Sequence, residues 1–236
     1  MKNKYYQLSR QENKAIVNIF GDIVDDVIYE DGVSALSFAY ELENLGDVEA
    51  IDVYINSYGG SVAQGFAIYN QLKSHPAKVT TVCSGFACSI ASIIFLAGDE
   101  RIMQDASLLM IHNPFVMTVG NANELRKQAE DLDKMAQVSV DIYCAATGLD
   151  EKTIKKMMDE ETWITSKEAI ELGFATSFKE EEPDEVVNLV VQSVKKSLIS
   201  KIVDGKNPQQ KEQETVEPTV DALSNFIKIF NSKGEK

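Results

Sequence analysis

Short apolar runs alternate with helix-length segments through the first 180 residues, and this alternation constrains the fold more than any other feature. Ala15–Phe20 (AIVNIF), Ile51–Ile55 (IDVYI), Val79–Cys83 (VTTVC) and Leu108–Ile111 (LLMI) read as strands. Between them, Val33–Leu45 and Val62–Leu72 carry helical periodicity, with Phe66, Tyr69 and Leu72 on the face of Val62. Asn121-x-x-Glu124 and Thr165-x-x-Glu168 have the form of capping boxes and mark two further helix starts. Connections of this length join parallel strands, so the expected architecture is an α/β layered fold around a buried sheet.

Composition narrows the function classes. The 236 residues are 44% hydrophobic and 25% charged, an ordinary globular balance with room for one large domain and an appendage. Thirty-seven acidic against 23 basic side chains leave a net charge of −14, which disfavours nucleic acid as a partner. The longest apolar run, Ile90–Ala97 with Ser92 inside it, falls short of the roughly 20 residues a membrane span needs. Cys83, Cys88 and Cys144 form no CxxC pair, which gives neither a disulfide framework nor a zinc site and suits a reducing compartment. Met1–Tyr6 carries positive charge with no apolar segment behind it, so the expected location is the cytosol without a secretory signal.

Three of the five prolines (Pro183, Pro208, Pro218) and the run Glu180-Glu181-Glu182 place an expected boundary near residue 180. Residues 1–180 form the expected domain and 181–236 an acidic extension. Within the extension, Val187, Val190, Val191, Val194, Leu198 and Ile202 share one stripe of a helix over about 185–203. A polar linker over about 204–218 precedes a second amphipathic segment, about 219–231, carrying Leu223, Phe226, Ile227 and Phe230. Such stripes either pack on their own domain or bind another chain.

Two segments offer backbone donors. Ile55-Asn56-Ser57-Tyr58-Gly59-Gly60-Ser61 puts two glycines at a strand-to-helix junction, as a tight turn, a phosphate loop or an oxyanion hole requires. Neither phosphate-loop pattern, G-x-x-x-x-G-K-[ST] nor G-x-G-x-x-G, is present. Ser84-Gly85-Phe86-Ala87-Cys88-Ser89 reads as a strand ending at Cys83, a turn at Gly85 and an apolar helix starting near Ser89. Ser89 is there either a helix cap or a nucleophile beside free N–H groups, and Cys88 is the rival nucleophile or an inert core thiol. It is not the G-x-S-x-G elbow.

A serine nucleophile needs a base, and the chain has two histidines. His75 lies in the polar loop Lys73-Ser74-His75-Pro76, where solvation is the plain reading. His112 follows Leu108–Ile111 and precedes Asn113-Pro114, so it sits where a buried strand emerges. Asp159-Glu160-Glu161 is either a solvated acidic face or the source of a carboxylate that orients the imidazole, and spacing alone does not select among the three.

The ordered segments YINSYGGSVAQGFAIYNQL, SGFACSIAS, LLMIHNP and ETWITSKEAIELGF resemble the ClpP serine peptidase family over about residues 14–178. The resemblance implies a spiral of β-β-α units with a long projecting helix, the fold shared with crotonases. It also implies Ser89 as nucleophile, His112 as general base, Glu161 at the position of the family's aspartate, and the backbone N–H groups of Gly60 and Ile90 as the oxyanion hole. Tyr58 and Cys88 replace a proline and an alanine, leaving the backbone donors in place. No metal or other cofactor is implied. The implied assembly is a ring, heptameric or tetradecameric, acting on protein substrates, with or without a docked ATPase unfoldase.

The wording GFACSIASIIFLAGDERIM and MIHNP is most similar to the phage and prophage branch, the ClpP-type head maturation proteases. That branch implies scaffold or capsid-precursor protein as substrate, in the host cytoplasm or the assembling procapsid. Two other readings stand beside it: a crotonase-type acyl-CoA enzyme, and an assembly or scaffold protein whose catalytic set has decayed.

Overall fold

The computed structural model describes residues 6–25, 32–44 and 46–179. An antiparallel pair, β1 (Tyr6–Gln11) and β2 (Lys14–Ile19), is followed by two short strands, β3 (Asp22–Ile23) and β4 (Gly32–Val33). Helix α1 (Ala35–Asn44), strand β5 (Ala50–Ser57), helix α2 (Val62–Ser74) and strand β6 (Lys78–Cys88) come next. A short helix, α3 (Ile90–Phe95), leads into β7 (Glu100–Gln104) and β8 (Leu108–Ile111). The long helix α4 (Ala122–Thr147) then precedes α5 (Glu151–Asp159), β9 (Thr162–Thr165), α6 (Ser166–Glu171) and β10 (Ser177–Lys179). The helical stripes expected between residues 185 and 231 lie outside the described residues.

The main sheet runs β1-β2-β5-β6-β7-β10, with β8 joined to β6 and β9 to β8. Strands β2, β5, β6 and β7 pair in parallel, as the long helical connections require. Antiparallel pairing enters at β1–β2 and β8–β9. Alternate residues of β5 turn inward, so Ile51, Val53 and Ile55 are fully buried beside Ala15, Val17 and Ile19 of β2. Each such Val or Ile side chain contributes roughly 1.5–3 kcal/mol on leaving water. All six residues of α3 are buried, as a helix apolar on every side must be.

Several boundaries differ from the sequence reading. Helix α1 starts at Ala35, because Val33 pairs in β4 with Ile23. The stripe α2 turns inward is Gly65, Ile68 and Leu72, with Phe66 and Tyr69 half-buried on its flank. Strand β6 does not end at Cys83 and Gly85 makes no turn; the strand continues to Cys88.

The reason is a change of neighbour. Thr80–Cys83 of β6 pair with β7, whereas Phe86–Cys88 pair with β8, and the register against β5 shifts between Ile55 and Ser57. Glycine is needed at 85 for close approach, since a Cβ there would meet Asn56 Oδ1 at 2.6 Å. That same oxygen accepts the Phe86 N–H at 3.1 Å, holding β6 across its change of partners.

Both capping boxes form, Asn121 with Glu124 and Thr165 with Glu168. The 26 residues of α4 span about 39 Å. Its buried residues, Ser139, Val140 and Tyr143, all lie toward the C-terminal end, so the first half of the helix projects into solvent. Gly148, left-handed at φ 77°, terminates it. The Arg101 guanidinium of β7 donates to the Phe174, Gly173 and Ala146 carbonyls, tying the sheet to the end of α4 and to the loop before β10.

Candidate active site

Parallel pairing delivers two side chains to one sheet end. Cys88 of β6 is opposite Met110 of β8, and both strands run in the same direction. Ser89 and His112 therefore leave the sheet side by side, where ligands bind in α/β folds. The Ser89 N–H donates to the Met110 carbonyl at 2.8 Å, and His112 Nε2 lies 2.7 Å from Ser89 Oγ. Ser89 occupies the N-cap position of α3 yet makes no side-chain cap hydrogen bond, its hydroxyl being engaged with the imidazole instead.

Ser89 has φ 55° and ψ −128°, a conformation that residues bearing a Cβ rarely adopt. The strand thus passes into the helix through a sharp, strained elbow, although the G-x-S-x-G pattern is absent. No sequence signal predicts a serine at positive φ; it follows from β6 being held by β8 up to Cys88 while α3 starts at Ile90.

The Gly59-Gly60 loop closes against this elbow. A Cβ on Gly59 would meet the Cys88 carbonyl oxygen and Ser89 Cβ, both at 2.8 Å, and one on Gly60 would meet the Ile23 carbonyl oxygen at 2.1 Å. Both glycines have positive φ, 101° and 140°. Ile23 N–H donates to Gly59 O and Ser61 N–H donates to Ile23 O, a parallel bridge that leaves the Gly60 N–H unused. The Ile90 N–H, first in α3, also has no acceptor among the described residues. Among the described residues, the Gly59-Gly60 loop and the start of α3 thus each hold one uncommitted N–H donor.

Burial holds His112 below the ordinary histidine range, and the Glu161 charge opposes that shift. The Phe115 ring packs edge-on against the imidazole at 5.8 Å. The three acidic residues that spacing could not separate have different neighbours. Asp159 accepts from Asn113 Nδ2 at 2.8 Å, and Glu160 lies 3.8 Å from Lys156. Glu161 precedes β9, and extending the Ile111–Thr162 register by one position sets it opposite His112. It holds a left-handed conformation, φ 50°, and acts on the ring through its charge, with no hydrogen bond between them.

The remaining candidates lie elsewhere in the chemistry. Cys88 is fully buried, and its thiol is pushed up to about 11 by burial, with Cys83 and Glu161 adding to the shift, so it stays protonated. His75 ends α2, where its Nδ1 accepts the Ala77 N–H at 3.1 Å. Among the described residues no helix is long and apolar enough to cross a membrane.

Residues 2–182 match the family described as Clp protease. The chain belongs to that family. It is 37% identical to the ATP-dependent Clp protease proteolytic subunit 1 of Chlamydia abortus over 158 residues, 65% of this chain and 81% of the relative. The protein of the same name from Protochlamydia amoebophila is 40% identical over 123 residues, 50% and 60% of the two chains. That from Chlamydia caviae is 35% identical over 158 residues, 65% and 81%. As a Clp protease the chain is a serine-type endopeptidase, the activity that the four ordered motifs implied.

The Clp protease motifs did not give the pairings made around Ser89. Ser92 and Tyr143 hydrogen bond beneath it, and Tyr58 stacks on Phe86 at 5.1 Å while Phe86 meets Trp163 edge-on at 6.2 Å. Each pair joins distant segments of the chain, so only three-dimensional pairing reveals it.

Proposed function

We propose that Ser89 is the nucleophile and His112 the general base, with the Gly60 and Ile90 N–H groups as the oxyanion hole and Glu161 as the carboxylate facing the imidazole. The observation that carries this reading is the 2.7 Å contact between His112 Nε2 and Ser89 Oγ. Because burial keeps the ring neutral near pH 7, Nε2 is free to take the hydroxyl proton as Oγ attacks a peptide carbonyl. The resulting oxyanion falls to the two unused N–H groups. The imidazolium then protonates the leaving amine, and water resolves the acyl-enzyme by the reverse sequence. Glu161 stabilises the imidazolium through its negative charge.

A fluorophosphonate probe tests the assignment. The expected result is covalent label on the peptide containing Ser89, lost in Ser89→Ala and strongly slowed in His112→Ala. Absence of label on the folded wild-type chain overturns it, and would favour the acyl-CoA or scaffold readings.

For the substrate, the reading is head maturation: cleavage of a scaffold or capsid-precursor protein by a ring of copies. What supports it is the branch-specific wording around Ser89 and His112, and the acidic sequence after residue 180. Self-association gains support from the exposed apolar run after His112, in which Phe115 is 78%, Met117 94% and Val119 101% exposed. Co-expression with a capsid precursor checks the substrate. Cleavage is expected with the wild-type chain and not with Ser89→Ala; an intact precursor in both overturns the maturation role.

A further inference from the structure

A hydrogen-bond chain beneath Ser89 plays no part in the chemistry described so far. Ser92, fully buried in α3, has its Oγ 2.6 Å from the Ser89 carbonyl oxygen. The Tyr143 hydroxyl, brought from the buried end of α4, lies 2.7 Å from that Oγ. A carbonyl oxygen can only accept, so Ser92 donates to Ser89 and Tyr143 is left to donate to Ser92. The direction runs one way, from Tyr143 O–H to Ser92 O–H to the Ser89 carbonyl. Burial keeps the tyrosine protonated by raising its ionisation well above the ordinary phenol range.

The Ser89 carbonyl and the Ile90 N–H belong to one peptide group. That group is planar and trans, so its oxygen and its hydrogen point in opposite directions. Whatever fixes the carbonyl toward the protein interior aims the N–H the other way. We infer that Ser92 and Tyr143 are positioning residues, clamping the Ser89–Ile90 peptide so that the Ile90 N–H faces the oxyanion and Ser89 keeps its elbow conformation. The inference rests on the peptidase reading of Ser89 and Ile90.

Two further observations fit this role. The preceding peptide is held independently, by the Ser89 N–H to the Met110 carbonyl at 2.8 Å, so the strained residue is gripped on both sides. A buried serine in a helix can satisfy its hydroxyl by back-bonding to a carbonyl alone. The tyrosine, 51 residues away in sequence, adds a donor that leaves the serine's own proton directed at Ser89.

The full-length variants Ser92→Ala, Tyr143→Phe and the double substitution each delete only hydroxyl groups. Measured on each are the fluorophosphonate labelling rate at Ser89, kcat and KM on a peptide substrate, and the thermal midpoint. Loss of a hydrogen bond worth a factor of about ten is expected to appear in kcat and in labelling, with KM unchanged. Because Tyr143 acts only through Ser92, the double variant is expected to be no slower than Ser92→Ala, at temperatures where all are folded. Labelling and kcat within twofold of wild type in Ser92→Ala overturn the proposal. So does a double variant slowed by the product of the single effects. A wild-type chain that takes no label at Ser89 instead fails the peptidase reading, which keeps the two failures distinct.

Discussion

Burial and the Glu161 charge pull the His112 imidazole in opposite directions, and burial wins. The base must be neutral to accept the Ser89 proton, so activity is lost as pH falls through its pKa. The acid limb of kcat/KM is therefore expected to have its midpoint below the ordinary histidine value of 6.5. Glu161→Gln removes a charge that raises that pKa, so its limb is expected at still lower pH, with a reduced plateau; a shift to higher pH would contradict the assignment. Gly60 is expected to be equally sensitive for a different reason. At φ 140°, with the Ile23 carbonyl oxygen 2.1 Å from where a Cβ would stand, Gly60→Ala must displace the loop and its N–H. Loss of such a donor costs about 100–1000-fold in kcat, to be read from steady-state kinetics on a variant whose circular dichroism is unchanged. Sequence motifs singled out Ser89, His112, Gly60 and Ile90. Glu161 was distinguishable from Asp159 and Glu160 only by family resemblance, because the register of β9 against β8 separates them and a contiguous acidic run carries no register.

At the scale of elements, the site depends on β6 changing partners part-way along. The crossing is held where Gly85 passes Asn56, so Gly85→Ala is expected to destabilise the fold by about 1–3 kcal/mol in urea unfolding. Wild-type stability for that variant would show that Asn56 can move aside. Arg101 supports the opposite side, donating to three carbonyls of the α4 end and the loop before β10. Arg101→Met is expected to cost about 1.5–3 kcal/mol through those lost charged hydrogen bonds, read as a lower thermal midpoint. Strands β2, β5 and β8 were legible from their apolar runs, and the starts of α4 and α6 from their capping boxes. The full length of β6 was not, because Ser84-Gly85 interrupts its apolar pattern and the local composition resembles a turn. Strands β7 (ERIMQ) and β9 (TWIT) are short and hold two adjacent apolar residues between polar or charged ends, which leaves no alternation to detect.

For the whole molecule, the exposed Phe115, Met117 and Val119 beside the site make self-association the main expectation. Met117→Asp places a charge in that run and is expected to shift sedimentation toward smaller species while leaving the subunit folded; an unchanged distribution would remove this surface from the assembly. The amino-acid sequence by itself determined the α/β layering, the family and the reactive side-chain types, because hydrophobic period and short motifs are local properties of a chain. Tertiary structure alone decided three things: the parallel register that sets Ser89 beside His112, the antiparallel β8–β9 pairing that reaches Thr162 next to Glu161, and the Ser92–Tyr143 hydrogen bond beneath Ser89. Each joins residues from distant segments, and a hydrogen bond between strands or helices depends on register and crossing geometry, which no local pattern of residues encodes.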